Sequence, residues 1–278
     1  MGIARLRRLG FAVLDRAPSS LVARLGAQPW LKRVLRPLVN RAVPATTTIA
    51  TVRGGGARGL RLLVDPQAEK FYWTGDHEPH LQEALRAELR PGMCFWDVGC
   101  HIGFFALQAA RLVGPAGSVL AFEPMPDNQE RLRRNIGFND SDVVTVIPKA
   151  VAARRGSMTM YARGSCASSL MWTLNASLQD VESRPVEVTT LDEMVEVHGM
   201  PDLVKIDAEG TEVDVLRGAS RLIAARVPFL VEFMDAAGLL EAKRFMPGYG
   251  FKLLADNHYA ARAAAQNGRP GATSRARL

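Results

Sequence analysis

The sequence predicts an α/β fold: one mostly parallel sheet with helices on both faces, preceded by a basic N-terminal arm. Three observations carry that reading. Apolar, strand-length runs alternate with helical stretches from Cys94 onward, the first run breaks into a glycine-flanked loop, and the second ends on an acid. A chain of 278 residues, 47% apolar and 23% charged, suits one large domain with a core of ordinary size.

The arm comes first, over residues 1–45. Residues 1–41 hold nine Lys/Arg against Asp15 alone, and Trp30, Leu31, Val34, Leu35 and Leu38 share one helical face until Pro37 disturbs it. Such a helix packs its stripe on the main domain or lies on anionic lipid as a peripheral membrane contact. Residues 260–278 add four Arg and no acid, so a whole-chain charge of +7 leaves residues 42–259 at −5. A domain face that tracks nucleic-acid phosphates needs the opposite sign, and no nucleic-acid partner is expected.

The apolar run Leu9–Leu14 is too short for a signal peptide, and no run of about 18 apolar residues exists to span a bilayer. Cys94, Cys100 and Cys166 form no CxxC pair. They read as reduced thiols of a cytoplasmic protein without a structural metal.

The domain is expected over 46–257, with its core at about 92–255. Thr46 to Asp65 reads as two strands around Gly54-Gly55-Gly56, a turn and not a phosphate loop, since no Gly-Lys-Ser/Thr follows. A short helix covers Glu83–Glu88 and ends before Pro91-Gly92. Strands follow at Cys94–Val98, Val119–Phe122, Val143–Ile147, Leu203–Ile206 and Phe229–Phe233. Helices fall at Phe104–Val113, Asp127–Ile136, Thr211–Ala224 and Gly238–Phe245, an alternation that builds a parallel sheet. Tyr161–Arg184 lacks periodicity and reads as an irregular crossing or lid. After Gly250–Ala255 no further strand is evident, and the Ala/Arg/Gly-rich residues 258–278 are expected to form a disordered tail.

The cofactor signal lies in the first two strands. Asp97-Val98-Gly99-Cys100-His101-Ile102-Gly103 turns from strand to helix with the spacing Asp-x-Gly-x-x-x-Gly. Gly99 permits a tight turn near a ligand, and Gly103 a close start of the helix. A pyrophosphate wants the barer Gly-x-Gly-x-x-Gly turn, which argues against a nicotinamide oxidoreductase, as does the lack of a Tyr-x-x-x-Lys pair. Glu123 follows the second strand, 24 residues after Gly99, where a carboxylate accepts both ribose hydroxyls of a nucleoside. Loop and acid together point to an adenosine-bearing cofactor without a pyrophosphate clamp.

These residues, with Ala121-Phe122-Glu123-Pro124, Leu132–Asn135 and Lys205-Ile206-Asp207-Ala208-Glu209-Gly210-Thr211-Glu212, resemble the FkbM family of methyltransferases from about Gly75 to Gly250. The resemblance implies the Rossmann-like sheet of class I methyltransferases, ending in an antiparallel seventh strand. It also implies S-adenosylmethionine as cofactor and transfer to a hydroxyl of a sugar, glycan or secondary metabolite. The family usually has Ala-Asn where this chain has Cys100-His101. Its Gly-x-x-Glu-Pro string corresponds to Gly75 through Glu78-Pro79. The implied cofactor contacts are Glu78, Asp97, Gly99, His101, Gly103, Glu123 and Pro124.

Methylating a hydroxyl requires in-line approach, proton removal and exclusion of water. Asp207 and Glu209, just beyond the fourth strand, are candidates for substrate positioning or general base, with bracing of the loop the competing role. Lys205 is placed to pair with one of them. Thr211, three residues before Asp214, fits a helix cap, and Glu212 fits the first helical turn. His77 is a second base candidate because its ordinary pKa is near neutrality. Glu232, ending the fifth strand, faces the same cleft, whereas His198 and His258 have no context that singles them out. The aspartate-asparagine pair of the metal-dependent caffeoyl-CoA type is not evident, so no catalytic metal is expected. The alternatives are a nucleic-acid methyltransferase, which lacks an Asn-Pro-Pro-Tyr or Pro-Cys string here, and a non-catalytic relic, against which Asp97, Gly99 and Glu123 count.

Overall fold

The computed structural model describes residues 46–163, 171–173 and 183–264. The predicted arm lies outside the described residues, as does the chain beyond 264.

Strands β1 (Thr48–Thr51) and β2 (Arg61–Val64) form the expected antiparallel hairpin. Helices α1 (Lys70–Thr74) and α2 (Pro79–Glu88) lead into the alternating core. There β3 (Cys94–Val98), α3 (Phe104–Val113), β4 (Ser118–Phe122), α4 (Pro126–Phe138) and β5 (Val144–Ile147) follow one another. A second, four-stranded sheet interrupts: β6 (Ala150–Val151), β7 (Gly156–Arg163), β8 (Met171–Thr173) and β9 (Ser183–Thr189), in the order β6-β9-β7-β8. The core resumes with α5 (Leu191–His198), β10 (Leu203–Ile206), α6 (Glu212–Arg217), α7 (Ser220–Ala224) and β11 (Phe229–Glu232). It closes with α8 (Ala236–Phe245), β12 (Tyr249–Ala255) and β13 (His258–Ala263).

The main sheet has the order β12-β13-β11-β10-β3-β4-β5. β11, β10, β3, β4 and β5 run parallel, while β13 is antiparallel to both neighbours. From β3 the chain moves outward to β4 and β5, then returns to the other side through β10. Strand order therefore reverses between β3 and β10, the crevice where open α/β sheets take ligands.

The continuous apolar runs of these strands are explained by burial on both faces. Phe95, Val119, Leu203, Leu230 and Ala260 join a core with α2 and α3, whereas Trp96, Leu120, Val204, Phe229 and Ala261 join one with α5 to α8. Successive residues point to opposite faces, so each strand feeds two cores. Full burial of a side chain the size of Phe95 stabilises the fold by roughly 1.5–3 kcal/mol.

Three expectations are corrected. The seventh strand exists: β13 occupies part of the stretch expected to be a disordered tail, between β11 and β12. Ala260, Ala261 and Ala263 give little apolar signal, yet Ala260 and Ala261 are buried there. The helix expected over Thr211–Ala224 is two helices that part at Gly218, where a Cβ would stand 2.3 Å from Ala152 O. The expected crossing Tyr161–Arg184 is strand at Tyr161–Arg163, at β8 and at the start of β9, while residues 164–170 and 174–182 lie outside the described residues.

Candidate active site

The site forms at the carboxyl ends of β3, β4, β10 and β11. The loop after β3 alternates left-handed residues, with φ of 76° at Gly99, 51° at His101 and 87° at Gly103. Only glycine fits at 99, since a Cβ there would lie 1.8 Å from the Asp207 carbonyl oxygen. That near-contact joins the β3 and β10 loops across the crevice. Gly103 has a different neighbour from the expected strand: its Cβ would meet Leu132 of α4 at 2.4 Å.

Below this loop lies a buried ion-pair chain. Lys205 is opposite Asp97 in the β10–β3 register, so their side chains share a face. Lys205 Nζ is 3.2 Å from Asp97 Oδ1 and 3.3 Å from Asp207 Oδ2, and it also stands over the Phe105 ring. Burial works against the ammonium, but the carboxylates of Asp97 and Asp207 outweigh it and hold its pKa above the usual lysine value. Burial raises the pKa of Asp97 despite the nearby lysine. The expected pairing of Lys205 with an acid is therefore present twice over.

Asp97 is fully enclosed, and its carboxylate is taken up by the Lys205 ammonium. Glu123 is buried at the end of β4, where Oε1 accepts the Met125 N–H at 2.8 Å. Burial pushes its pKa up to about 7. Pro124 follows it, and its carbonyl accepts a bond from Gln129. A buried carboxylate with acceptor capacity to spare at the end of β4 fits a ligand that brings ribose hydroxyls. His101 Nδ1 lies 3.0 Å from the Tyr72 hydroxyl, and burial lowers the pKa of its ring to about 4, so the ring is neutral.

Beyond β10, Asp207 keeps 22% of its side chain exposed. Glu209 is half-buried with φ of 51°. Glu212 braces this loop: its Oε1 accepts the Ala208 N–H at 3.2 Å and the Gly210 N–H at 2.7 Å. Thr211 occupies the cap position of α6, but its hydroxyl donates backward to the Ala208 carbonyl and does not cap.

His77 sits among Phe71, Tyr72, Phe104 and Phe105, and burial lowers its pKa. Glu78 has φ of 41°, a strained left-handed conformation ahead of Pro79. Gln82 holds this loop by donating to the Gly75 and His77 carbonyls while accepting the Gly56 N–H. The Glu78 carboxylate meets His77 Nε2 at 3.5 Å and His258 Nε2 at 3.3 Å. Burial opposes its ionisation, yet His258, His77 and Lys205 bring its pKa down to about 2.

His258 and Tyr72 are what sequence reasoning missed. His258 starts β13, which had not been recognised, so no element connected it to the cleft. Its Nε2 lies 3.6 Å from Glu232 Oε2, at the end of β11. Burial lowers and the carboxylates of Glu78 and Glu232 raise the His258 pKa, with a net rise, while burial and Asp207 raise Glu232 to about 7.

Residues 97–253 match the model of the methyltransferase FkbM domain. The chain is 28% identical over 199 residues to the 31-O-demethyl-FK506 methyltransferase FkbM of Streptomyces tacrolimicus, covering 61% of this chain and 76% of that protein. It is 31% identical over 132 residues to the hexuronic acid methyltransferase AglP of Haloferax volcanii, covering 46% of this chain and 50% of that protein. Among solved structures, Aeropyrum pernix fibrillarin with natively bound S-adenosyl-L-methionine superposes with a TM-score of 0.42 at 14% identity, over 66% of this chain and 74% of that one. With the match spanning more than half of its length, the chain belongs to the FkbM family of methyltransferases and is an S-adenosylmethionine-dependent enzyme.

Proposed function

We propose that the chain methylates a hydroxyl oxygen of a small-molecule or glycan acceptor, a sugar or a secondary metabolite. The observation that carries the reading is Asp207: a half-open carboxylate at the strand-order reversal, held by a buried lysine that also anchors Asp97. The two relatives named above, one for a hexuronic acid and one for a demethylated FK506, support the acceptor class.

S-adenosylmethionine, when bound, supplies an electrophilic methyl on a sulfonium. Glu123 with Pro124 would receive the ribose hydroxyls, and the Gly99–Gly103 loop with Asp97 and His101 would hold the remainder. Asp207 orients the acceptor hydroxyl and takes its proton, with His77 and Glu209 as the other candidates for that proton. A neutral His77 is able to accept, but its aromatic surroundings favour Asp207 for direct contact. Glu78 belongs to the same charge network through its coupling to Lys205.

Calorimetric titration with S-adenosylhomocysteine, with NAD as control, tests the cofactor assignment. Selective micromolar binding is expected, and absence of binding overturns the pocket. Glu123→Gln should weaken it by roughly 1.5–3 kcal/mol, or about 10- to 150-fold.

The pH dependence follows from the raised Glu123 pKa. Below about 7 the carboxyl is protonated and loses acceptor capacity, so affinity should rise with pH through that value. Fold stability without ligand runs the other way: this group's contribution is full below the unfolded carboxyl value and is lost as pH rises to about 7. The Gln variant should flatten the affinity slope. A wild-type profile already flat between pH 6 and 8 would remove Glu123 from the ribose contact.

A further inference from the structure

We propose that Glu78, Glu232 and His258 form a binding site for one divalent first-row transition-metal ion beside Asp207. The three residues offer one donor atom each, all within 4.8 Å of one another. His258 Nε2 stands 3.3 Å from Glu78 Oε2 and 3.6 Å from Glu232 Oε2. Metal–ligand bonds of about 2.0–2.2 Å set neighbouring donors roughly 3.0–3.6 Å apart around one ion. The observed spacings are those of donors sharing a cation.

Hydrogen bonding accounts for the cluster less well. Nε2 carries at most one proton and faces two carboxylates. Among the described residues, His258 Nε2 and Glu78 Oε2 meet only as an ion pair at 3.3 Å without the alignment of a good hydrogen bond, and His258 is only 6% exposed. A buried imidazole and carboxylate in poor hydrogen-bond alignment are better satisfied by a cation that pairs with both. Charge points the same way. Glu232 interacts electrostatically with both Asp207 and Glu78, and His258 with all three, while the nearby Lys205 is already engaged by Asp97 and Asp207.

The second oxygen of each carboxylate is held in place, as metal ligands require. Asn257 Nδ2 donates to Glu232 Oε1 at 2.9 Å, His77 lies against Glu78 Oε1, and the His80 ring packs edge-on against His258 at 4.5 Å. Glu78 itself has a left-handed backbone in a loop fastened by Gln82. One imidazole with two carboxylates suits Mn(II), Fe(II), Co(II) or Zn(II) better than Ca(II) or Mg(II). Three protein ligands leave positions open for water or an oxygen of the acceptor. The cation itself stands apart from the assignment of the acceptor; its use in holding an acceptor hydroxyl beside Asp207 rests on the function proposed above.

The test uses the full chain, stripped with chelator and freed of any histidine tag, titrated with Zn(II) by calorimetry and with Co(II) by visible absorption. One ion per chain is expected, with Glu232→Gln and His258→Gln each weakening it at least about 30-fold. S-adenosylhomocysteine affinity, measured on the same samples, reports that each variant is folded and that the cofactor pocket stands. No cation bound by protein that still binds S-adenosylhomocysteine overturns the metal site alone and leaves an ion-paired, protonated His258. Equal cation binding by wild type and both variants overturns it as well, by placing the ion elsewhere.

Discussion

Replacing Lys205 with methionine is expected to destabilise the domain by about 3–5 kcal/mol, the cost of leaving a buried carboxylate without its partner. The side chain is 2% exposed and Asp97 is fully enclosed, so water cannot replace the ammonium at Asp97. The lost salt bridge alone would be a modest effect; the uncompensated Asp97 makes it large. Denaturant unfolding measures it, and its pH dependence identifies the cause. Asp97 already has a raised pKa from burial, and loss of Lys205 raises it further. A carboxyl whose folded pKa exceeds its unfolded one stabilises least once ionised. The variant should therefore lose stability progressively as pH climbs above about 4, more steeply than wild type. A loss below 1 kcal/mol with no added slope would mean that Asp97 is carried neutral and the lysine serves only Asp207.

Asp207→Asn should spare S-adenosylhomocysteine binding and lower turnover by about 10²- to 10⁴-fold, the range of a lost general base. Asparagine fills the same space and keeps the loop, whose bracing comes from Glu212. Asp97 retains the buried ammonium, so the stability loss should be far smaller than for Lys205→Met. Single-turnover rates with the cofactor saturating measure the chemical step. Unchanged turnover would reassign proton removal to His77 or Glu209 and leave Asp207 a structural ligand of Lys205.

Much of this arrangement was legible because it is local. The loop from Asp97 to Gly103, the acid at 123 and the string from Lys205 to Glu212 each sit within a few residues of a strand end. Apolar alternation locates those strands and so brings the loops together. β13 was illegible for a physical reason: a strand sandwiched between two others at a tight spot uses alanines, and small side chains leave no apolar period to read. His258 went unnoticed with it. Its partners Glu78 and Glu232 lie far away along the chain, and no spacing rule joins residues that meet only once a sheet has closed. The second sheet was missed because β7 and β9 pair across a long intervening segment without periodicity, although Val186 and Val188 alternate with exposed Glu187 in β9.

The position of β13 also governs the order in which the molecule can be assembled. It is the last strand of the main sheet to leave the ribosome, yet it lies inside the sheet, between β11 and β12. Its turn with β12 is short, so that hairpin closes early and cheaply and then docks on the waiting edge of β11. Until docking, β11 presents unpaired backbone groups and the nascent domain is vulnerable to sticking to its own kind. His258 arrives with the same step, beside Glu78 and Glu232. A ribosome-bound or truncated chain lacking β13 would thus hold most of the sheet and the cofactor loop while still missing this histidine. The geometry makes the arrival of β13 a checkpoint on assembly of that part of the site.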